Sequence, residues 1–296
     1  MSNTAVDKSI AYQGEPGANS HIACLEAYPD FEPVPCATFE DAFSAVEGGK
    51  VGLAMIPIEN SLAGRVADIH HLMPESSLYI IGEHFLPVHH CLLAVADAGL
   101  ETIKTVHSHV HALGQCRNVI RELGLNAVVA ADTAGAAREL SQSGDVTQAA
   151  FATSLAADIY GLNTLRANVE DEDHNMTRFV IMAAEPADAE PEDAPVVTSF
   201  VFRVRNVPAA LYKAMGGFAT NGVNMTKLES YQIDGQFFAT QFYADIEGHP
   251  SERPVRLALE ELAFFTSHLR ILGTYKASPM RAELAKKAAI AAGLME

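Results

Sequence analysis

Two short runs concentrate hydrogen-bonding side chains where a purely structural segment would place core or turn residues: Pro57-Ile58-Glu59-Asn60-Ser61-Leu62-Ala63-Gly64 and Asn175-Met176-Thr177-Arg178-Phe179. The first offers a carboxylate, an amide and a hydroxyl in consecutive positions, and the second adds a hydroxyl and a guanidinium. Brought together by the fold, they suit an oxygen-rich small anion. Arg178 has the fork that a carboxylate prefers, although in a regular strand Thr177 and Arg178 point to opposite faces. Glu59 serves either as a general acid or as a brace for its loop. Thr133, at a helix start after Asp132, reads as an N-cap or as a source of backbone N–H groups for an anion.

Other polar clusters read as structural. His107-Ser108-His109-Val110-His111 would present three imidazoles on one strand face. Leu113, Cys116, Val119 and Ile120 follow at helical spacing, however, so the segment is expected to turn into a helix rather than hold a metal. His70-His71 and His89-His90 read as structural or surface pairs. The Glu170–His174 run reads as a solvated acidic loop before a closing strand. Gly14-x-x-Gly17 lacks the full spacing of a nucleotide-binding loop.

The elements that must position these groups alternate in type. Ser9–Tyr12 reads as a strand, Ser20–Ala27 as a helix, and Thr38 as the N-cap of a helix striped with Phe39, Ala42, Phe43 and Val46. Val51–Pro57 is a continuous apolar run, as in a strand buried on both faces. A second block gives strands at Cys91–Val95, Ala127–Ala131 and Ala149–Thr153. Its helices fall at His109–Leu123, Thr133–Leu140 and Ser154–Tyr160, and Arg178–Ala183 closes it as a strand. This rhythm predicts parallel sheets covered by helices, in two lobes flanking a cleft. The acidic, proline-rich 186–195 is a linker. Beyond it come strand Val196–Val204, helix Pro208–Thr220, strand Asn224–Tyr231, an Asp234-Gly235 turn, strand Gln236–Ile246, helix Ser251–Phe265 and strand His268–Tyr275. That βαββαβ order is ferredoxin-like, and residues 277–296 form a helical tail.

The 296 residues suffice for about two domains, and 49% hydrophobic with 19% charged residues marks an ordinary globular chain. Net charge of −17 argues against nucleic acid or an anionic membrane as partner, and requires any anion site to be locally rich in donors. Cys24, Cys36, Cys91 and Cys116 form no CxxC pair and read as reduced thiols. No signal segment or membrane span is visible, so a cytoplasmic location is expected.

The chain resembles the prephenate dehydratases over residues 8–276. Pro57–Gly64 matches that family's PIENSxxG run, and Asn175-x-Thr177-Arg178-Phe179 its NxTRF. Ser108-His109 with Ala112, Leu113, Gln115 and Cys116 resembles SHPQALAQC, with Val110, His111 and Gly114 as departures. Gly14-Glu15-Pro16-Gly17 resembles the opening turn with its proline displaced by one. The resemblance implies a periplasmic-binding-protein-like (type 2) catalytic domain over 8–185. Its first lobe would take about 8–84 with 178–185, and its second about 85–177. An ACT regulatory domain over 196–276 would follow. It also implies conversion of prephenate to phenylpyruvate without metal or organic cofactor, feedback by L-phenylalanine, and a homodimer or homotetramer. By the same resemblance Thr177, Glu59 and Ser108 are catalytic, and Asn60, Ser61, Gln115, His109, Arg178 and Thr133 hold the substrate. The family's Gly-Ala-Leu effector motif is Ala209-Ala210-Leu211 here, and its Glu-Ser-Arg-Pro is Glu229-Ser230-Tyr231-Gln232. The alternatives are an arogenate dehydratase and a non-catalytic small-molecule-binding regulator.

Overall fold

Residues 8–193, 195–232, 239–291 and 293 are described by a computed structural model. Strand β1 (Ser9–Gln13), helix α1 (Asn19–Ala27), β2 (Glu32–Cys36), α2 (Phe39–Glu47) and β3 (Leu53–Asn60) form the expected alternating run. Thr38 does cap α2: its hydroxyl accepts the Asp41 amide at 3.1 Å, while the Asp41 carboxylate accepts the Thr38 amide at 3.2 Å. β3 starts and ends later than the apolar run Val51–Pro57 predicts. It extends through Glu59 and Asn60, because β4 (Gly64–Arg65) folds back to pair with them. Helix α3 (Ile69–Glu75) and β5 (Tyr79–Pro87) follow.

The next lobe contains β6 (Cys91–Ala94), β7 (Thr105–Ser108), α4 (Val110–Gln115), α5 (Arg117–Leu123), β8 (Asn126–Val129), α6 (Thr133–Ser143), β9 (Gln148–Ala152), α7 (Ser154–Tyr160) and β10 (Asn163–Arg166). β11 (Met176–Ala183) then joins the first sheet, giving orders β2-β1-β3-β11-β5 and β10-β6-β9-β7-β8. In each sheet the lobe's second, first and third strands lie in sequence, followed by a strand outside that βαβ series, β11 in one and β6 in the other. This shared order is the type 2 periplasmic-binding-protein-like arrangement expected. β6 shows why its sequence is continuously apolar. Cys91 and Leu93 pack with α6 and α7, whereas Leu92 and Ala94 pack against Leu113, Cys116 and Val119.

Two expectations of local structure are corrected. The helix foreseen over His109–Leu123 is broken at Cys116 (φ −123°, ψ 34°), and Asp171 caps the second piece by accepting the Arg117 and Asn118 amides at 2.9 and 3.0 Å. The N-cap of α6 is Asp132, whose carboxylate accepts the Gly135 amide at 2.6 Å; Thr133 is the first helical residue instead. The Asp234-Gly235 turn lies outside the described residues.

By contact density the chain divides into Met1–Val66 with His84–Phe179, and Ala67–Glu83 with Val180–Glu296. Within the first unit, the Gly14–Gly17 turn meets α7 at close range. Thr153 caps α7 and donates its hydroxyl to the Gly17 carbonyl, and Tyr160 donates to the Pro16 carbonyl at 2.9 Å. Gly17 has φ 91°, and a Cβ there would lie 2.7 Å from Ala156 Cα, so both its conformation and its neighbours require glycine.

The second unit holds β12 (Val196–Val204), α8 (Ala210–Thr220), β13 (Met225–Gln232), β14 (Ala239–Glu247), α9 (Arg253–Phe265), β15 (Thr266–Lys276) and α10 (Pro279–Ala291). Its antiparallel sheet runs β13-β14-β12-β15, and Phe200, Phe202, Phe218 and Phe242 fill the core beneath α8 and α9. This is the expected βαββαβ fold. α3 and the start of β5 belong here as well. Arg270 of β15 donates to the carbonyls of Pro74, Ser76 and Leu78 at the end of α3, and a Cβ on Gly273 would overlap the Ile80 carbonyl. Arg281 of α10 forks onto the Glu83 carboxylate at 2.6 and 2.9 Å.

Candidate active site

The end of β3 and the start of β11 are tied together by Ser61. Its amide donates to the Met176 carbonyl at 2.8 Å, and its hydroxyl donates to the His174 carbonyl and accepts the Met176 amide, both at 2.9 Å. The chain then turns sharply, so that the Leu62 and Ala63 amides donate to Asn60 Oδ1 at 3.0 and 2.8 Å. Asn60 Nδ2 therefore faces the other way. It donates to Asn175 Oδ1 at 2.8 Å and to Thr177 Oγ1 at 2.9 Å. Asn175 Nδ2 donates in turn to Gln115 Oε1 at 2.9 Å, and Gln115 Oε1 also meets His90 Nε2 at 2.9 Å. Two sequence motifs more than a hundred residues apart are thus one hydrogen-bonded group, extended onto α4.

This arrangement changes what several expected ligands can offer. Both amide hydrogens of Asn60 are taken by Asn175 and Thr177, so Asn60 organises its neighbours rather than presenting a free donor. Ser61 is likewise occupied in joining the two runs. Thr177 Oγ1 accepts from Asn60, which directs the hydroxyl proton elsewhere. Gln115 Oε1 is engaged on the relay, while the residue also lines a cavity of ≈ 510 Å³ with Leu62, Ala63, His111 and Arg117. That volume lies in the range of small-molecule sites, roughly 300–1,000 Å³.

Arg178 is held in the interior beside Glu59. β11 is regular through Thr177 and Arg178, so the two side chains alternate. Arg178, 3% exposed, turns to the buried side and donates to Glu59 Oε1 at 3.0 Å. Glu59 is accordingly one half of an ion pair, the arrangement of a brace. Ser108 is fully buried at the end of β7 and donates to the Phe151 carbonyl at 2.7 Å. His109 caps α4, its Nδ1 accepting the His111 amide at 3.4 Å with the two rings 5.1 Å apart. Burial, and secondarily His111, lowers the His109 pKa. Thr133 stands half-buried at the first position of α6.

The acidic run before β11 is solvated in part, with Glu172, Asp173 and His174 exposed, while Glu170 and Asp171 are engaged. Glu170 accepts the His90 amide at 2.9 Å and pairs with His89 Nδ1 at 2.7 Å, its own side chain only 7% exposed. Hydrogen bonds from His89 and the His90 amide outweigh its burial and lower its pKa. Asp171 caps α5, as above. Residue reasoning also missed three participants. Asn175 was visible only as a motif position, while His90 and Arg117 carried no local signal. Among the described residues no cluster of three His, Cys, Asp or Glu side chains is arranged for a metal.

The effector motif residues occupy the βαββαβ unit. Ala209 heads α8 with φ 62°, Ala210 and Leu211 pack on the phenylalanine core, and Glu229 and Ser230 lie on the outer strand β13. Lys227 donates to Glu229 at 3.3 Å. Ala210 also lines a cavity of ≈ 310 Å³ with Arg205, Lys213, Phe264 and Phe265. No described helix is long and apolar enough to cross a membrane.

The architecture is a two-lobed α/β domain carrying an amide-rich hydrogen-bonded group, followed in the chain by a βαββαβ unit. Residues 10–187 match the family model for prephenate dehydratase. The chain belongs to the prephenate dehydratase family, which are carbon–oxygen hydro-lyases. It is 50% identical over 93% of its length to a bifunctional N-acyl-homoserine lactone acylase/prephenate dehydratase of Komagataeibacter europaeus, covering 98% of that protein. It is 41% identical to arogenate dehydratase/prephenate dehydratase 1 of Arabidopsis thaliana, over 90% of this chain and 71% of that one. A solved prephenate dehydratase of Arthrobacter aurescens in complex with L-Phe superposes with TM-score 0.84 at 27% identity, covering 97% of this chain and 99% of that one.

Proposed function

We propose that this enzyme converts prephenate to phenylpyruvate, with phenylalanine as a feedback effector at the βαββαβ unit. The observation that carries this reading is the 2.9 Å bond from Asn60 to Thr177 Oγ1. In the reaction a ring carboxylate leaves as CO2, its electron pair enters the ring, and the C–O bond at the far ring carbon breaks. The departing oxygen leaves as water once it gains a proton. Thr177, accepting from Asn60, points its own proton at that oxygen. Because a threonine hydroxyl is a very weak acid, it polarises and orients the leaving group, or relays a proton, rather than acting as the net source.

Gln115 and the exposed Arg117 supply donors on the cavity side for the carboxylates. Asn60, Ser61 and Asn175 position, Glu59 and Arg178 brace, and Ser108 and His109 fix the start of α4 and thereby Gln115. Thr133 supplies a hydroxyl and an amide at the head of α6. In the βαββαβ unit, Arg205 and Lys213 suit an amino-acid carboxylate, and Phe264 and Phe265 an aromatic ring. Glu229 and Ser230 would complete such a site across a dimer.

Arogenate is a second reading, favoured by one feature. Glu172 lines the same cavity and offers a carboxylate to the ammonium that distinguishes arogenate from prephenate. Side-by-side kinetics of the purified enzyme on both substrates, with and without phenylalanine, test these readings. The expected result is faster turnover of prephenate and its inhibition by phenylalanine. Turnover of arogenate alone would replace the first reading with the second, and turnover of neither would overturn both.

A further inference from the structure

The polarity of the hydrogen-bonded group can be read from one end to the other, because backbone N–H groups only donate. The atom of Asn60 that receives the Leu62 and Ala63 amides must be its oxygen. Asn60 Nδ2 then donates, so the Asn175 atom it meets is Oδ1 and the Asn175 atom facing Gln115 is Nδ2. Gln115 therefore presents Oε1 inward, which turns its NH2 group outward. His90 Nε2 lies 2.9 Å from that same Oε1, an atom that can only accept. The imidazole must carry its hydrogen on Nε2. Among the described residues its buried Nδ1 has no hydrogen-bond partner, and His90 is 3% exposed.

We propose that His90 is a positioning residue of the dehydration. As the neutral Nε2–H tautomer, it closes a relay His90–Gln115–Asn175–Asn60–Thr177 that leaves the Gln115 NH2 and the Thr177 hydroxyl as outward donors. The role rests on the reading that Thr177 acts on the departing hydroxyl. A protonated His90 would place an N–H at Nδ1 where no described residue accepts it. Its surroundings agree. Burial lowers the His90 pKa, the Gln115 bond and the Glu170 carboxylate oppose that, and His89 adds to it. With an apolar residue in place of His90, Gln115 loses one of the two bonds that fix its amide, and its orientation toward the cavity loosens.

The test combines kinetics with a direct reading of the tautomer. His90→Phe is expected to lower kcat/KM for prephenate on the order of tenfold, the size of one buried hydrogen bond. His90→Gln, whose amide can donate from nearly the same place, is expected to recover most of that. In wild-type enzyme labelled with 15N-histidine, His90 should show a protonated Nε2 and a bare Nδ1 from about pH 8 down to about pH 6. An Nδ1–H tautomer or an imidazolium in that range would overturn the proposal whether or not the variants fold. So would full activity in His90→Phe, or His90→Gln no better than His90→Phe. Thr177→Val, measured beside them, separates the two levels. If it stays active, the reading of Thr177 fails; if it is inactive while His90→Phe is unimpaired, only the role of His90 fails.

Discussion

Asn60 and Arg178 show how little a side chain's type says about its task until its bonds are known. Asn60 has its amide hydrogens on Asn175 and Thr177, because the tight turn after it supplies two backbone amides to its one oxygen. Arg178 carries the guanidinium expected at an anion site, yet strand alternation sends it into the interior against Glu59. Removing one partner of a buried ion pair is worse than replacing both. Here Arg178 is buried but the Glu59 side chain is 34% exposed, so Arg178→Met should lower unfolding stability by about 1–2 kcal/mol, and the Glu59→Gln/Arg178→Met double variant by less than the sum of the single losses. Denaturant melts of the four proteins check this. Strictly additive losses would show that the two side chains are not coupled.

At the scale of elements, Ala209 marks a place where this chain departs from the Gly-Ala-Leu pattern it resembles. Its φ of 62° is the conformation in which glycine loses least, and a Cβ there costs about 1 kcal/mol. Ala209→Gly should therefore raise stability by up to about that much, offset partly by the greater freedom of glycine in the unfolded chain. A thermal melt that drops would contradict the strained geometry at the start of α8. The same comparison of sequence and structure explains which elements were legible. α2 and α7 were, because a capping residue marks each locally, and β12 was, because its valines and phenylalanines cluster just beyond the linker. β2 was hidden by Pro33 and Pro35, which a strand tolerates at the edge of a sheet, and β2 is an edge strand. The break at Cys116 was hidden because its stabiliser, Asp171, lies more than fifty residues away. Of the hydrogen-bonded group, Thr177, Asn60 and Gln115 stand out in the sequence by their motif positions. His90 was not, since a buried imidazole on a loop beside a strand leaves no periodic trace.

For the whole molecule, the division of contacts matters more than the linker suggests. Residues 67–83 directly follow the Glu59–Arg65 turn in sequence, yet they group with 180–296. Arg270, Gly273 and Arg281 all act on that segment, through the end of α3, the Ile80 carbonyl and Glu83. A chain cut at residue 185 would lose these partners and expose the apolar side of 67–83. It should melt well below the full-length protein or fail to fold, as followed by circular dichroism. A truncated chain as stable as the whole would show that the first 185 residues are self-sufficient.

In the proposed reaction Asn60 holds Thr177 with its proton turned toward a departing oxygen. Steady-state formation of phenylpyruvate from prephenate by wild type, Thr177→Ser and Thr177→Val tests it most directly. Thr177→Val should lose at least about a hundredfold in kcat, within the usual reach of a positioned proton donor, while still binding substrate. Thr177→Ser, keeping the hydroxyl, should retain much of the rate. A valine variant that turns over prephenate like the wild type would contradict it.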